Sequence, residues 1–171
     1  LHLGGYFLLN KLRPDIPALF NFAHAQGTTV SLDTNWDPQD IWDIKDTLPL
    51  CDVFLPNEAE VERITGVELS QGIDRLSQEI PTLVVKLGSK GGFARQGALS
   101  AEADALKVKV VDTIGAGDSF DAGFTYGYIN RFSLLDSLKI ACACGSLSTR
   151  AAGGVAAQPT LQELKDLKLK V

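Results

Sequence analysis

The sequence contains no methionine, two histidines and three cysteines among its 171 residues. Three cysteines are an odd number without framework spacing, which excludes a disulfide scaffold. Cys142 and Cys144 lie two apart on an expected helix, about 200° around its axis, and so face opposite ways. With the isolated Cys51 they read as small buried hydrophobes, not metal ligands. His2 and His24 have no partners at ligand spacing. No apolar run approaches the ~18 residues that would cross a bilayer. Leu1–Asn10 is uncharged but lacks a basic start and a small-residue cleavage site, so it does not read as a signal peptide. Basic residues are the minority, 16 against 21 acidic ones, for a net charge of −5. That balance argues against a nucleic-acid partner. It leaves room for a small anion held by local dipoles. The expectation is a reduced, cytoplasmic protein with no membrane association.

Two familiar phosphate loops are also missing. No Gly-x4-Gly-Lys-Ser/Thr run is present, and the dinucleotide fingerprint would require glycine at position 120, where Phe120 stands. What the sequence does hold is ordinary globular composition, 45% hydrophobic and 22% charged. Apolar β-type runs alternate with amphipathic stretches. Strands are expected at Leu1–Leu9, Thr28–Leu32, Asp52–Leu55, Thr82–Leu87, Gly92–Gln96 and Leu106–Val111. Helices are expected at Pro14–Gln26, Asn57–Thr65, Gln71–Glu79, Gly117–Arg131, Leu134–Arg150 and Thr160–Lys168. The alternation predicts an α/β fold of three α/β/α layers around a mostly parallel sheet. Ligands in such folds sit outside the carboxyl ends of the strands, where Asp33, Asn57, Gly88 and the Gly115–Asp118 loop fall.

The sharpest segment is Asp112-Thr113-Ile114-Gly115-Ala116-Gly117-Asp118, continued by Ala122-Gly123-Phe124. A β-run at Val108–Val111 leads into a turn of small residues and then a helix. Small residues let backbone N–H groups approach an anion, and the helix start adds partial positive charge. An aspartate beside them suits phosphoryl transfer, in which amides hold developing charge and a carboxylate takes a hydroxyl proton. Read by residue type alone, the run also fits a tight strand-to-helix turn with Asp118 as a cap. Two further motifs carry a similar double reading. Asn57 and Glu60 share a helix face, where a carboxylate can order water around Mg²⁺, and they equally form a capping box. Lys86-Leu87-Gly88-Ser89-Lys90-Gly91-Gly92 is a strand-end turn whose glycines admit close backbone approach.

The 112–124 segment resembles the second signature of the PfkB (ribokinase-like) family of carbohydrate kinases, and the rest of the chain agrees with that resemblance. It implies a ribokinase-like fold and ATP-dependent phosphorylation of a sugar hydroxyl, with residues 1–171 as the nucleotide-binding and catalytic C-terminal portion of the domain. Asp118 is then the general base, and the Gly115, Ala116 and Gly117 amides form the anion hole. Asn57 and Glu60 place the Mg²⁺–phosphate network, while Lys86, Gly88 and Gly91 line the ATP. The Asp112 side chain and Ile114 carbonyl stand where members that respond to K⁺ hold a monovalent cation, with a partner loop near Ala151–Gly154. Asp33 falls on the substrate side. The family's Asp-x-Asn-Arg run is broken here by Trp36 in the arginine's place. The resemblance also sets adenine against the helix bearing Cys142 and Cys144. No part of the sequence matches the family's N-terminal portion, with its glycine-pair signature, most sugar contacts and β lid. The resemblance therefore leaves two other readings beside the sugar kinase, a non-catalytic nucleotide-binding fragment and a nucleoside kinase. A homodimer of the full-length protein is also compatible with it.

Overall fold

In a computed structural model that describes residues 1–171, six strands follow the order β1-β2-β3-β4-β5-β6 in one sheet. They are β1 (His2–Leu3), β2 (Ser31–Leu32), β3 (Val53–Phe54), β4 (Thr82–Lys86), β5 (Gly92–Gln96) and β6 (Leu99–Ala103). The helices are α1 (Ile16–Ala25), α2 (Glu58–Thr65), α3 (Leu69–Glu79), α4 (Ala116–Ile129), α5 (Leu134–Ser148) and α6 (Leu161–Asp166). The chain forms two compact units, one of Leu1–Val85 with Arg95–Gly97, the other of Lys86–Ala94 with Ala98–Val171. No helix is long and apolar enough to cross a membrane.

In the first unit the first four strands pair in parallel, with Leu3 beside Leu32, Leu32 beside Phe54 and Phe54 beside Leu83. Parallel strands are covered on both faces and therefore read as continuous apolar runs. The Thr82–Val85 stretch of β4 is buried at every position. Ile16, Phe20 and Ala23 of α1 recur at helical spacing and are buried. The expected Leu1–Leu9 strand stops after Leu3. Gly5 adopts a left-handed conformation (φ 71°), and Tyr6–Leu8 turn as a 3₁₀ helix whose Tyr6 N–H donates to the Asp33 carbonyl. An extended ladder cannot pass through that φ. The crossover from β2 to β3 contains no α-helix. Its turn is organised by Asp37, whose buried carboxylate accepts N–H bonds from Gln39, Ile41 and Trp42 at 3.0, 2.9 and 2.8 Å. Burial pushes this carboxyl upward, but those N–H groups, Trp42 foremost, hold it below its ordinary value.

The second unit centres on the antiparallel pair of long helices α4 and α5, joined through a turn in which Phe132 N–H donates to the Gly127 carbonyl. Ser133 caps α5 by accepting from Asp136 N–H. Leu164 of α6 packs into a cluster of Ile140, Ala143, Cys144 and Leu147. The expected strand at Leu106–Val111 does not form. The Leu106 N–H donates to Ser146 Oγ, and the Val111 and Asp112 N–H groups donate to the Thr149 carbonyl, so the end of α5 takes the bonds a ladder would have used. The sixth strand lies instead at Leu99–Ala103. All three cysteines are free and buried, and burial pushes the Cys51 and Cys142 thiols up to about 12 and Cys144 to about 11. They are inert hydrophobes at neutral pH.

Helix α4 approaches α5 through glycines. A Cβ on Gly123 would lie 2.9 Å from Ala141 Cα, and one on Gly127 would lie 2.7 Å from Ser137 Cα. Gly127→Val should therefore destabilise the protein by about 1–3 kcal/mol, the usual cost of overpacking, seen as a thermal midpoint lowered by several degrees. An unchanged midpoint would mean that the two helices are free to move apart.

Candidate active site

The residues singled out in the second unit converge on the start of α4. After Asp112 the chain turns at Gly115 (φ 72°), the residue that caps the helix. The Ala116 N–H donates to the Thr113 carbonyl and the Ser119 N–H to the Gly115 carbonyl, at 3.2 and 2.9 Å. Between them the Gly117 and Asp118 N–H groups have no intrahelical acceptor, and no side chain caps the helix. Backbone dipoles of α4 add partial positive charge at the same point.

A second loop closes against this bend. A Cβ on Gly115 would lie 3.0 Å from the Gly154 carbonyl oxygen, and one on Gly154 (φ 74°) would lie 3.1 Å from the Ile114 carbonyl oxygen. Both positions thus need glycine for φ and for space. Asp112 ties the two loops together, since its Oδ1 accepts from Ile114 N–H at 3.0 Å and its Oδ2 from Gly153 N–H at 2.9 Å. These bonds, Gly153 first, hold the carboxyl below its ordinary value. The partner loop expected near Ala151–Gly154 is therefore in contact with the bend, and both Asp112 oxygens are engaged by backbone donors.

Ala116 and Gly117 border a cleft of about 880 Å³. Lys86, Lys90 and the Gly88–Gly91 turn border it too, and Leu106, Val108, Phe120 and Cys142 supply an apolar wall. Cys142 and not Cys144 faces this space. Gly88 takes φ 57° with open space where a Cβ would be. Gly91 (φ 100°) is required by packing, because a Cβ there would fall onto the backbone of Ala103–Ala105. Asp118 is exposed on the first turn of α4, outside the residues bordering the cleft. The bend itself is half-buried and reaches solvent.

Asn57, Glu60 and Asp33 belong to the first unit. Asn57 and Glu60 form the complete capping box of α2. Asn57 Oδ1 accepts from Glu60 N–H at 3.0 Å, Glu60 Oε2 accepts from Asn57 N–H at 3.0 Å, and Asn57 Nδ2 donates to Glu60 Oε1 at 2.7 Å. This arrangement buries and orients the Glu60 carboxylate. A carboxylate held so rigidly is a hard oxygen donor of the kind that suits a hydrated Mg²⁺. Asp33 is buried just after β2. No group of three or more His, Cys, Asp or Glu side chains is gathered at metal-holding distance.

Sequence reasoning overlooked Asp121. It is buried on α4, and its Oδ2 lies 3.0 Å from Lys86 Nζ. The available signal was an acid between Phe120 and Ala122-Gly123-Phe124, since a buried carboxylate requires a partner.

Comparison with known proteins gives a family match over most of the chain. The model of the pfkB family of carbohydrate kinases matches residues 1–161. The 2-dehydro-3-deoxygluconokinase of Bacillus subtilis is 32% identical over 149 residues, covering 81% of this chain and 46% of the relative. Among solved structures, fructokinase from Vibrio cholerae O395, bound to fructose, ADP and calcium ion, superposes with a TM-score of 0.88 at 29% identity, covering 99% of this chain and 60% of that one. Arabidopsis thaliana ribokinase complexed with ribose and ATP gives 0.82 at 28% identity, covering 91% and 52%. The chain spans about half the length of the curated relatives it matches. By the extent of the family match, the bend at Gly115–Asp118 and the shared fold, the chain belongs to the pfkB family of carbohydrate kinases.

Proposed function

We propose that this chain forms the nucleotide-binding and catalytic portion of an ATP-dependent kinase acting on a hydroxyl of a small sugar. The reading is carried by the bend at the start of α4, where the Gly117 and Asp118 N–H groups have no intrahelical acceptor and Ala116 and Gly117 border a cleft that also contains Lys86. That cleft combines an apolar wall for a base with donors and ammonium groups for phosphates. The fructose, ribose, ADP and ATP bound by the two solved relatives are consistent with it.

In this mechanism the sugar hydroxyl oxygen attacks the γ-phosphorus in line. The new O–P bond forms as the bond from the γ-phosphorus to the β,γ-bridging oxygen breaks. ADP departs with that electron pair, and the hydroxyl proton passes to the Asp118 carboxylate. The Gly115 and Gly117 amides would face the charge on the transferred oxygens, whereas the Ala116 N–H, expected beside them, is held by the Thr113 carbonyl. Lys86, Gly88 and Gly91 line the nucleotide. Asn57 and Glu60 would hold waters of a Mg²⁺, which when bound neutralises phosphate charge. Asp112 and the Ile114 carbonyl would border a monovalent cation, and Asp33 the acceptor. The span of the chain supports a second reading for residues 1–171 taken alone, namely nucleotide binding without turnover. A nucleoside acceptor is the remaining variant, in keeping with the 29% identity to the nucleoside kinase of Methanocaldococcus jannaschii.

In the full-length protein, Asp118→Asn should lower kcat for sugar phosphorylation by ~10²–10⁴, the range for loss of a general base, with ADP affinity little changed. Retention of most of the turnover would remove Asp118 from the role of base.

The Asp112 tie carries a pH signature. A carboxyl whose folded pKa is depressed adds stability that is fully present above its unfolded value, ~3.9, and is lost as pH falls through the lower folded value. The Gly153 and Ile114 amides should therefore stay protected from hydrogen exchange from neutral pH to about 4, and lose protection only in stronger acid. Asp112→Asn should expose at least one of them at neutral pH. Equal protection in the variant would show that the two glycines alone hold the loops together.

A further inference from the structure

Lys86 is the last residue of β4, and its side chain is 12% exposed. Its stem runs along the first turn of α4. A Cβ placed on Gly117 would lie 3.9 Å from Lys86 Cδ and 3.7 Å from Nζ, ordinary van der Waals contact, so the lysine lies directly alongside that turn. Asp121 stands four residues after Gly117, one turn further along the same helix face. Its carboxylate is 2% exposed and meets Lys86 Nζ at 3.0 Å. The ammonium thus lies between the first turn of α4 and a buried counter-charge.

We infer that Asp121 is a positioning residue, which through its ion pair fixes the Lys86 ammonium beside Gly117 as a phosphate-binding cation at the rim of the cleft. The inference rests on the reading of that cleft as a site for a phosphorylated ligand. A lysine is a compact charge on a flexible four-carbon stem, and without an anchor it samples many rotamers. An ammonium has three donors, so holding one orients the others. A buried pair adds little net stability against apolar residues of the same volume, yet it fixes geometry where one arrangement is needed. Here the fixed point lies beside Gly117, whose N–H has no intrahelical acceptor. Both donors then approach one anion from a rigid frame, and no ordering cost falls on the lysine when the ligand arrives.

The test separates positioning from two plainer roles. Binding of tripolyphosphate and of adenosine is measured by calorimetry on the full-length protein and on Asp121→Asn. Positioning predicts that tripolyphosphate binding weakens about 10- to 100-fold, the loss of one charge-assisted hydrogen bond, while adenosine binding is unchanged. Equal or tighter tripolyphosphate binding overturns the inference, because a carboxylate that merely offsets the ammonium would on removal favour an anion. A parallel fall in both affinities overturns it too, since that is the mark of a damaged scaffold. A second measurement needs no variant at position 121. In the parent protein the ¹⁵Nζ resonance of Lys86, assigned through Lys86→Arg, should be resolved and should shift with tripolyphosphate but not with adenosine. Absence of that shift defeats the proposal even where Asp121→Asn does not fold. Neither readout involves turnover, so the inference and the kinase reading can fail separately.

Discussion

The second unit depends on backbone meeting backbone without side chains between. At Gly115 and Gly154 two loops come within 3.0–3.1 Å of where a Cβ would sit, a spacing that alanine would push open by a few tenths of an ångström. The bend at Gly115 sets the direction in which α4 begins, and hence where the Gly117 and Asp118 N–H groups point. The same device recurs along the helix. Gly123 and Gly127 admit α5 at Ala141 and Ser137, and Gly145 of α5 returns the approach toward Ala116 and Phe120. Helix α4 is therefore fixed at its start by a loop and along its length by a second helix. Packed interiors tolerate little change in volume, so the position of its N-terminus is determined by residues well outside the bend.

Three aspartates within ten residues of one another illustrate how burial assigns work to identical side chains. Asp112 spends both oxygens on backbone donors and locks two loops. Asp121 is buried against an ammonium. Asp118 alone is exposed on the first turn of α4, with neither of those duties. In a chain of net charge −5 the acids outnumber the bases, yet the border of the cleft carries Lys86, Lys90 and Lys107 against a single acid, Asp104. Local dipoles and nearby side chains, not net charge, set the potential at short range, where salt screens least.

Much of this arrangement was legible in the sequence wherever the determinant is local. The caps of α2 and α6 follow from Asn57 with Glu60 and Thr160 with Glu163, and both boxes form in full. The buried run of β4 and the Gly115–Asp118 bend were equally plain. The failures share one cause. Val108–Val111 has strand-like residues but no neighbouring strand, and the donors of Leu106, Val111 and Asp112 go to Ser146 and Thr149, some 40 residues away. Leu99–Ala103 has weak strand residues but the right neighbour. Extended backbone is a local property, whereas a ladder is a tertiary one. Asp121 was missed for the same reason, since its partner lies 35 positions back. The role of Gly154 emerges only from its contact with Ile114 and Gly115.

Position 36 shows how far a substitution can be judged by position alone. Where the family pattern has arginine this chain has Trp36, which reads as a lost cation. In the folded first unit a guanidinium is nonetheless present, because Arg63, just before the end of α2, stands 5.8 Å from the Trp36 ring centroid. That arginine is already committed, however. It pairs with Asp40 at 3.1 Å, and Asp40 also accepts from the Trp42 indole N–H at 2.6 Å. Trp36 in turn packs edge-on against Trp42, with ring centroids 5.0 Å apart. The charge restored in space is thus balanced by a neighbouring carboxylate and faced by one indole. A free guanidinium favours an acidic group by presenting an unmatched planar fork. One that is paired with a carboxylate and faces an aromatic ring presents no such unmatched fork.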